Sequence, residues 1–276
     1  MSEPAPTPSI RAFASAALWI VDLDGVVWLT GQAIGDVSGA VGALRSHGVR
    51  VVFATNNSAP TRRELLDRLE RIGIESNDDD LATSAAAAAT LVEPGRSVRV
   101  LAEGGVLESL SERGVTAVTG DGDGNVDAVE AAVVGWNRSF DFASLTATAT
   151  AARTSGRLIG TNEDPTHPTP NGLVPGSGAL LAAVATASGV TPEIAGKPHQ
   201  PMAALMRDRF GFMDGDASVV LVGDQPGTDG RLAERLGIPF GLVDSGVTPP
   251  DLAHFDVAVS VRAPDFVSLV HDCLSG

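Results

Sequence analysis

Tyrosine is missing from this chain of 276 residues, and lysine and cysteine occur once each, as Lys197 and Cys273. Without tyrosine, any aromatic contact to a ligand falls to Phe or Trp, with Trp136, Phe140 and Phe142 as candidates. One cysteine cannot close a disulfide within the chain, so a disulfide-stapled scaffold is excluded and a reducing cytoplasm is the expected compartment. No apolar run approaches the roughly 18 residues that a membrane-spanning helix needs. Basic residues are few: 19 Lys and Arg stand against 34 Asp and Glu, for a net charge of −15. That balance argues against nucleic acid or an anionic membrane as the main partner. It leaves room for a small anionic substrate, because a local cation and a few amides can reverse the field inside one pocket. The first residues, Met1 to Ser9, are rich in Pro, Ser and Thr but lack a basic stretch followed by an apolar one. They read as a disordered tail over residues 1–13 rather than a secretory signal.

Apolar runs set the expected architecture. Ala17 to Asp22, Val49 to Ala54, Ser218 to Gly223 and Ile238 to Val243 have the composition of buried parallel strands. Helices are expected between them. Thr61 to Arg71 places Leu65, Leu66, Leu69 and Ile72 on one face, opens with a Thr61–Glu64 capping box and meets Gly73 at its end. Val37 to His47, Pro201 to Phe210 and Arg231 to Leu236 follow the same pattern. Alternation of strand and helix over short links predicts an α/β fold with a doubly wound parallel sheet. The middle of the chain has its own alternation. Strands are expected at Val98 to Leu101, Ala128 to Val134 and Arg157 to Gly160, and helices at Glu108 to Arg113, Phe142 to Thr154 and Ala179 to Ser188. About a hundred residues suffice for a separate small α/β core.

Polar residues stand where the buried runs end. Asp22 and Asp24 close the first run in Leu18-Trp19-Ile20-Val21-Asp22-Leu23-Asp24-Gly25. A carboxylate at the end of a buried strand is held rigidly and faces the crevice where open α/β sheets bind ligands. Gly25 permits the sharp turn that would bring the second carboxylate to the same volume. Two acids this close repel unless a cation sits between them, so the pair implies a metal. The second run leads into Thr55-Asn56-Asn57, and the third into Asp224 and Asp229 of Val222-Gly223-Asp224-Gln225-Pro226-Gly227-Thr228-Asp229. Lys197 lies between Gly196 and Pro198. Other acidic and histidine residues have blander readings. Asp121, Asp123, Asn125 and Asp127 have the spacing of a calcium loop, but Val126 and Ala132 occupy the places that need glycine and a bidentate Glu, so a surface turn is expected. His47, His254 and His271 offer no metal-ligand spacing.

Taken in order, these four groups resemble the motifs of the haloacid dehalogenase superfamily of phosphohydrolases. The subclass is similar to the one holding phosphoglycolate, pyridoxal phosphate and para-nitrophenyl phosphate phosphatases. The resemblance implies a Mg²⁺-dependent phosphomonoesterase. In it Asp22 is the nucleophile that forms an aspartyl-phosphate, and Asp24 is the general acid and then the base. The Thr55 hydroxyl and the Asn56 amide, in a segment continued by Asn57, hydrogen-bond the phosphoryl oxygens. Lys197 neutralises charge on Asp22 and the phosphoryl group. The ion is held by Asp22, Asp224 and the main-chain carbonyl of Asp24, with Asp229 one step further out, orienting a water or Lys197. The chain departs from the family pattern at Gly230, where an aliphatic residue is usual.

The gap between Asn57 and Lys197 is far longer than a helix and a strand need, and the resemblance implies a cap inserted there. The expected division is a core at 14–83 and 190–276 and an α/β cap at 84–189, whose closure excludes water and selects the leaving group. Within it, Thr161 to Pro168 resembles the segment that faces the core site, making Asn162, Asp164 and His167 candidates for substrate or cap–core contacts. Small phosphorylated metabolites are the implied substrates, such as phosphoglycolate, glycerol phosphate, pyridoxal phosphate or aryl phosphates. A nucleoside monophosphate or sugar phosphatase of the same subclass is the alternative, and a homodimer through the cap is the assembly the resemblance suggests. A non-catalytic binding or regulatory protein on the same fold would be expected to have lost one of the acids, and none is lost.

Overall fold

The computed structural model describes residues 8–120, 129–169, 171–246 and 256–275. Its contacts divide the chain into two compact units. The first comprises Met1–Thr55, Leu66–Leu81 and Met206–Gly276, and the second Asn56–Leu65 and Ala82–Leu205. This division groups residues 56–65, 82–83 and 190–205 with the second unit, where the sequence reading groups them with the first.

In the first unit five strands lie parallel in the order Val261–Ala263, Phe240–Val243, Val219–Gly223, Leu18–Asp22, Arg50–Thr55. Leu18–Asp22 is buried along its whole length, as an apolar run between two parallel neighbours should be. Its register pairs Val21 with Val222 on one side and Asp22 with Ala54 on the other. The chain leaves it toward Arg50–Thr55 and later returns on its other flank, so the strand order reverses beside it. Such a reversal opens a crevice at the carboxyl ends of the strands.

The four long apolar runs are strands within one or two residues of expectation, and Arg231–Leu236 and Phe142–Ser155 are helices nearly as expected. The disordered tail is corrected at its end: Pro8–Ala14 is a helix. Phe13 and Phe266 contact the fully buried Trp19 edge-on, with ring centroids 5.4 and 6.1 Å away. An aromatic pocket on the first strand therefore gives residues near the N-terminus a reason to order. A C-terminal helix, Phe266–Ser275, buries Phe266, Leu269, Val270 and Cys273.

The second unit carries a parallel sheet in the order Glu193–Ile194, Leu158–Gly160, Ala131–Val134, Ser97–Leu101, Thr116–Val118. The helices Phe142–Ser155 and Ser177–Ser188 pack on one another over Leu101, Val134, Ala151, Leu181 and Val184. The strand Thr166–Thr169 pairs antiparallel with Gly172–Pro175. Thr61 and Glu64 form the expected reciprocal cap: the Glu64 carboxylate accepts the Thr61 N–H at 2.8 Å, and the Thr61 hydroxyl accepts the Glu64 N–H at 3.2 Å. The acidic turn expected at residues 121–125, and His254, lie outside the described residues. Among the described residues no helix is long and apolar enough to cross a membrane.

Two outcomes follow from this packing. Phe13→Ala is expected to lower the unfolding free energy by about 3–5 kcal/mol in a urea titration. A loss no larger than a typical surface substitution, about 0.5 kcal/mol, would show that the terminal helix does not depend on that ring. Burial, with a smaller contribution from the Asp272 charge, pushes the Cys273 thiol up to about 12. It therefore stays neutral far above physiological pH, and iodoacetamide at about pH 8 should label it in urea but not in the native protein. Rapid native labelling would contradict its burial.

Candidate active site

Within the first unit the tips of adjacent strands bring acids together. Asp22 ends Leu18–Asp22, and Asp224 directly follows Val219–Gly223. Asp229 lies in the helical turn Pro226–Gly230 that follows. All three are buried, at 6%, 0% and 1% exposure, and an oxygen of each lies within 4.8 Å of those of the others. Asp229, expected one step out from the ion, thus contributes to the same cluster. One of its oxygens, Oδ2, accepts the Gln225 N–H at 3.1 Å, which fixes its carboxylate.

The backbone is shaped around these acids. Gly25 has φ +91°, a conformation that a side chain would strain. A Cβ there would also stand 2.6 Å from the Asp224 carboxyl carbon. The departure at Gly230 has a local reason: a Cβ would meet Val257 at 2.7 Å and Phe240 at 3.1 Å, so the turn carrying Asp229 closes against them only with glycine.

Asp24 is half-buried, and its two oxygens are differently engaged. Oδ1 accepts the Trp28 indole N–H at 3.0 Å, and Oδ2 faces the Thr55 hydroxyl at 3.5 Å. Gly25 N–H donates to the Trp28 carbonyl at 2.7 Å, closing the turn that makes the indole contact. The Arg68 guanidinium lies over the Trp28 ring, 5.2 Å from its centroid. Trp28 escapes a search for reactive residues because it reads as another apolar position. The visible signal is an indole N–H donor four residues after an acid and just past a glycine turn.

Burying three like charges at once costs several kcal/mol per ion unless they are compensated. Closely set carboxylate oxygens are the donors that a hard divalent cation prefers, and Mg²⁺ accepts such a partial shell while keeping waters. The residues present therefore fit a divalent ion held by Asp22 and Asp224, with Asp229 beside them.

Within the second unit a polar cluster gathers around Asn56. Its Oδ1 accepts the Lys197 N–H at 2.7 Å, and its Nδ2 donates to the Lys197 carbonyl at 3.1 Å and to Asp164 Oδ2 at 3.2 Å. Its carbonyl accepts from Ser84 Oγ and Asn162 Nδ2, both at 2.6 Å. Asn162 Oδ1 also accepts the Asp164 N–H at 3.1 Å. The Asn57 side chain accepts the Ala59 N–H at 3.2 Å, as a turn former does. His167 lies against Trp136, with ring centroids 4.3 Å apart and the rings tilted by 43°. His199 pairs with Glu163 at 2.9 Å. Ser84 carries no motif that would single it out in the sequence, and Glu163 lies in the Thr161 to Pro168 segment without being a candidate there.

Comparison with known proteins places the chain in a family. A family model described as haloacid dehalogenase-like hydrolase matches residues 19–116, and a related hydrolase-like model matches residues 194–271. The chain is 31% identical over 251 residues to the 5′-nucleotidase YutF of Bacillus subtilis, covering 90% of this chain and 94% of that protein. It is 33% identical over 260 residues to a D-glycerol 3-phosphate phosphatase of Mycobacterium tuberculosis, covering 93% of this chain and 69% of that protein. The crystal structure of a glycerol phosphate phosphatase from Mycobacterium tuberculosis in complex with magnesium superposes with a TM-score of 0.81 at 29% identity, over 92% of this chain and 76% of that one. With acids at the strand tips, a parallel α/β architecture and relatives that match nearly its whole length, the chain belongs to the haloacid dehalogenase-like hydrolases.

Proposed function

We propose that the protein is a magnesium-dependent phosphomonoesterase acting on small phosphorylated metabolites through an aspartyl-phosphate on Asp22. The observation that carries this reading is the buried group of Asp22, Asp224 and Asp229 at the tips of adjacent parallel strands. The relatives named as a 5′-nucleotidase and a D-glycerol 3-phosphate phosphatase support it, as does the magnesium in the related crystal structure.

Asp22 and Asp224, with the main-chain carbonyl of Asp24, would hold the ion. Magnesium, when bound, neutralises these carboxylates and draws charge from the phosphoryl oxygens. The Asp22 carboxylate, fixed by its buried strand, attacks phosphorus as the bond to the leaving oxygen breaks. Asp24 gives its proton to that oxygen, then takes one from the water that cleaves the aspartyl-phosphate and frees Asp22. The Trp28 indole N–H holds Oδ1 of Asp24 and so orients its carboxyl group. The Thr55 hydroxyl and the Asn56 main-chain amide hydrogen-bond the transferring oxygens, and Lys197 supplies positive charge. Residues 84–189 act as the cap that selects the leaving group, with His167, packed against Trp136, as a contact to it. Cytoplasmic residence and a homodimer through the cap belong to the same proposal.

Hydrolysis of para-nitrophenyl phosphate tests the reading. Turnover is expected with magnesium, lost in EDTA and restored by added magnesium. Asp22→Asn is expected to abolish turnover; turnover near the wild-type rate in that variant would refute the nucleophile. Asp24→Asn should lower kcat by about 10²–10⁴-fold, the usual worth of acid–base help. A kcat within twofold of wild type, about the noise of such an assay, would remove Asp24 from proton transfer. A panel of metabolite phosphates, ranked by kcat/KM, separates glycerol phosphate and phosphoglycolate from nucleotides and sugar phosphates.

A further inference from the structure

We infer that Asn56 is a positioning residue acting through Lys197, its carboxamide gripping both polar groups of the lysine main chain and so setting where the ammonium is delivered. The inference rests on Lys197 as the cation of the proposed reaction.

A carboxamide presents an acceptor and donors side by side. Here the acceptor takes the Lys197 N–H at 2.7 Å and the amino group donates to the carbonyl of the same residue at 3.1 Å. The two contacts together fix the peptide units on either side of the lysine Cα. Asn56 is itself held from behind, by Ser84 and Asn162 on its carbonyl and by Asp164 on its Nδ2. The chain leading to Lys197 is laid along its neighbour: Ala195 N–H donates to the Gly160 carbonyl at 2.9 Å and Gly196 N–H to the Thr161 carbonyl at 2.8 Å.

Gly196 makes the grip sterically feasible. A Cβ at that position would stand 2.5 Å from Asn56 Oδ1 and 2.5 Å from the Thr161 carbonyl. Lys197 is 2% exposed, so its long stem is packed rather than free in water. A flexible four-carbon stem delivers its charge to a fixed point only when its root is fixed. On this reading the side chains of Asn56, Asn162 and Asp164 hold the lysine segment, and only the main chain of Asn56 faces phosphate.

A double-mutant cycle separates this role from a merely structural one. kcat and KM for para-nitrophenyl phosphate at saturating magnesium are measured for wild type, Asn56→Ala, Lys197→Ala and the double variant, with a thermal midpoint for each. Displacing a reacting group by about 1 Å can cost on the order of 10²-fold. Asn56→Ala is therefore expected to lower kcat by about that factor, with the loss in kcat rather than KM. The double variant is expected to be no slower than Lys197→Ala alone. Independent residues multiply their losses, so a double variant slowed by the product of the two single losses would overturn the inference. So would wild-type kcat in Asn56→Ala. Wild-type kcat in Lys197→Ala would remove the lysine assignment and this inference with it, while the Asp22→Asn assay reports on the reaction separately. Should Asn56→Ala fail to fold, Asn56→Asp keeps the size of the side chain and the acceptor for the Lys197 N–H but loses the donor. The same pattern is expected from it, and the same results would overturn the inference.

Discussion

The mutual repulsion of Asp22, Asp224 and Asp229 is the constraint around which the first unit is arranged. Each carboxylate is almost wholly removed from water, and their oxygens lie within 4.8 Å of one another. Domain stability is only about 5–15 kcal/mol. Three uncompensated buried charges, at several kcal/mol each, would consume it. Rigid elements carry the acids, and the divalent ion of the proposed reaction would relieve their repulsion. Two of the acids sit at the ends of neighbouring strands whose register is fixed by burial on both faces. The third is pinned by the Gln225 amide in a turn that closes only over Gly230.

How much of this was legible follows from what each element shows to a reader of sequence. Buried parallel strands are apolar runs, and an acid directly after one stands out, so Asp22 and Asp224 are found without any structure. The strands Thr166–Thr169 and Gly172–Pro175 are not, because they have no buried face and carry Pro168 and Pro175, which count against a strand. Ser84–Thr90 is nearly all alanine, and an alanine helix has no apolar stripe to reveal its period. Phe266–Ser275, by contrast, shows its period in the i, i+3, i+4, i+7 spacing of Phe266, Leu269, Val270 and Cys273. The segment around Phe13 reads as a tail because part of its pocket, Phe266, is remote in sequence.

The polar cluster of the second unit marks a different limit. Asn56 and Lys197 are each suspect from their motifs, but the bonds between them span 141 residues. The family resemblance assigns the Asn56 amide to the phosphate, and it does not say what the carboxamide touches. Coordinates show its side chain turned to the main chain of Lys197. Sequence motifs identify which residues matter more readily than they identify what each side chain touches.

The composition of the chain bears on the same point. Of the 19 lysine and arginine residues, all but Lys197 are arginine. Arginine and lysine are interchangeable where a charge is only solvated, so a chain biased toward arginine loses little by using it on the surface. They differ where the charge must be compact: a guanidinium is a broad planar fork, and an ammonium is a point on a narrow stem. Lys197 is among the least exposed charged residues, its main chain is gripped by Asn56, and Gly196 before it has no room for a side chain. A segment held this closely accepts a narrow side chain and disfavours a wide one. The one lysine thus stands where steric confinement and the proposed demand for a small, localised positive charge coincide.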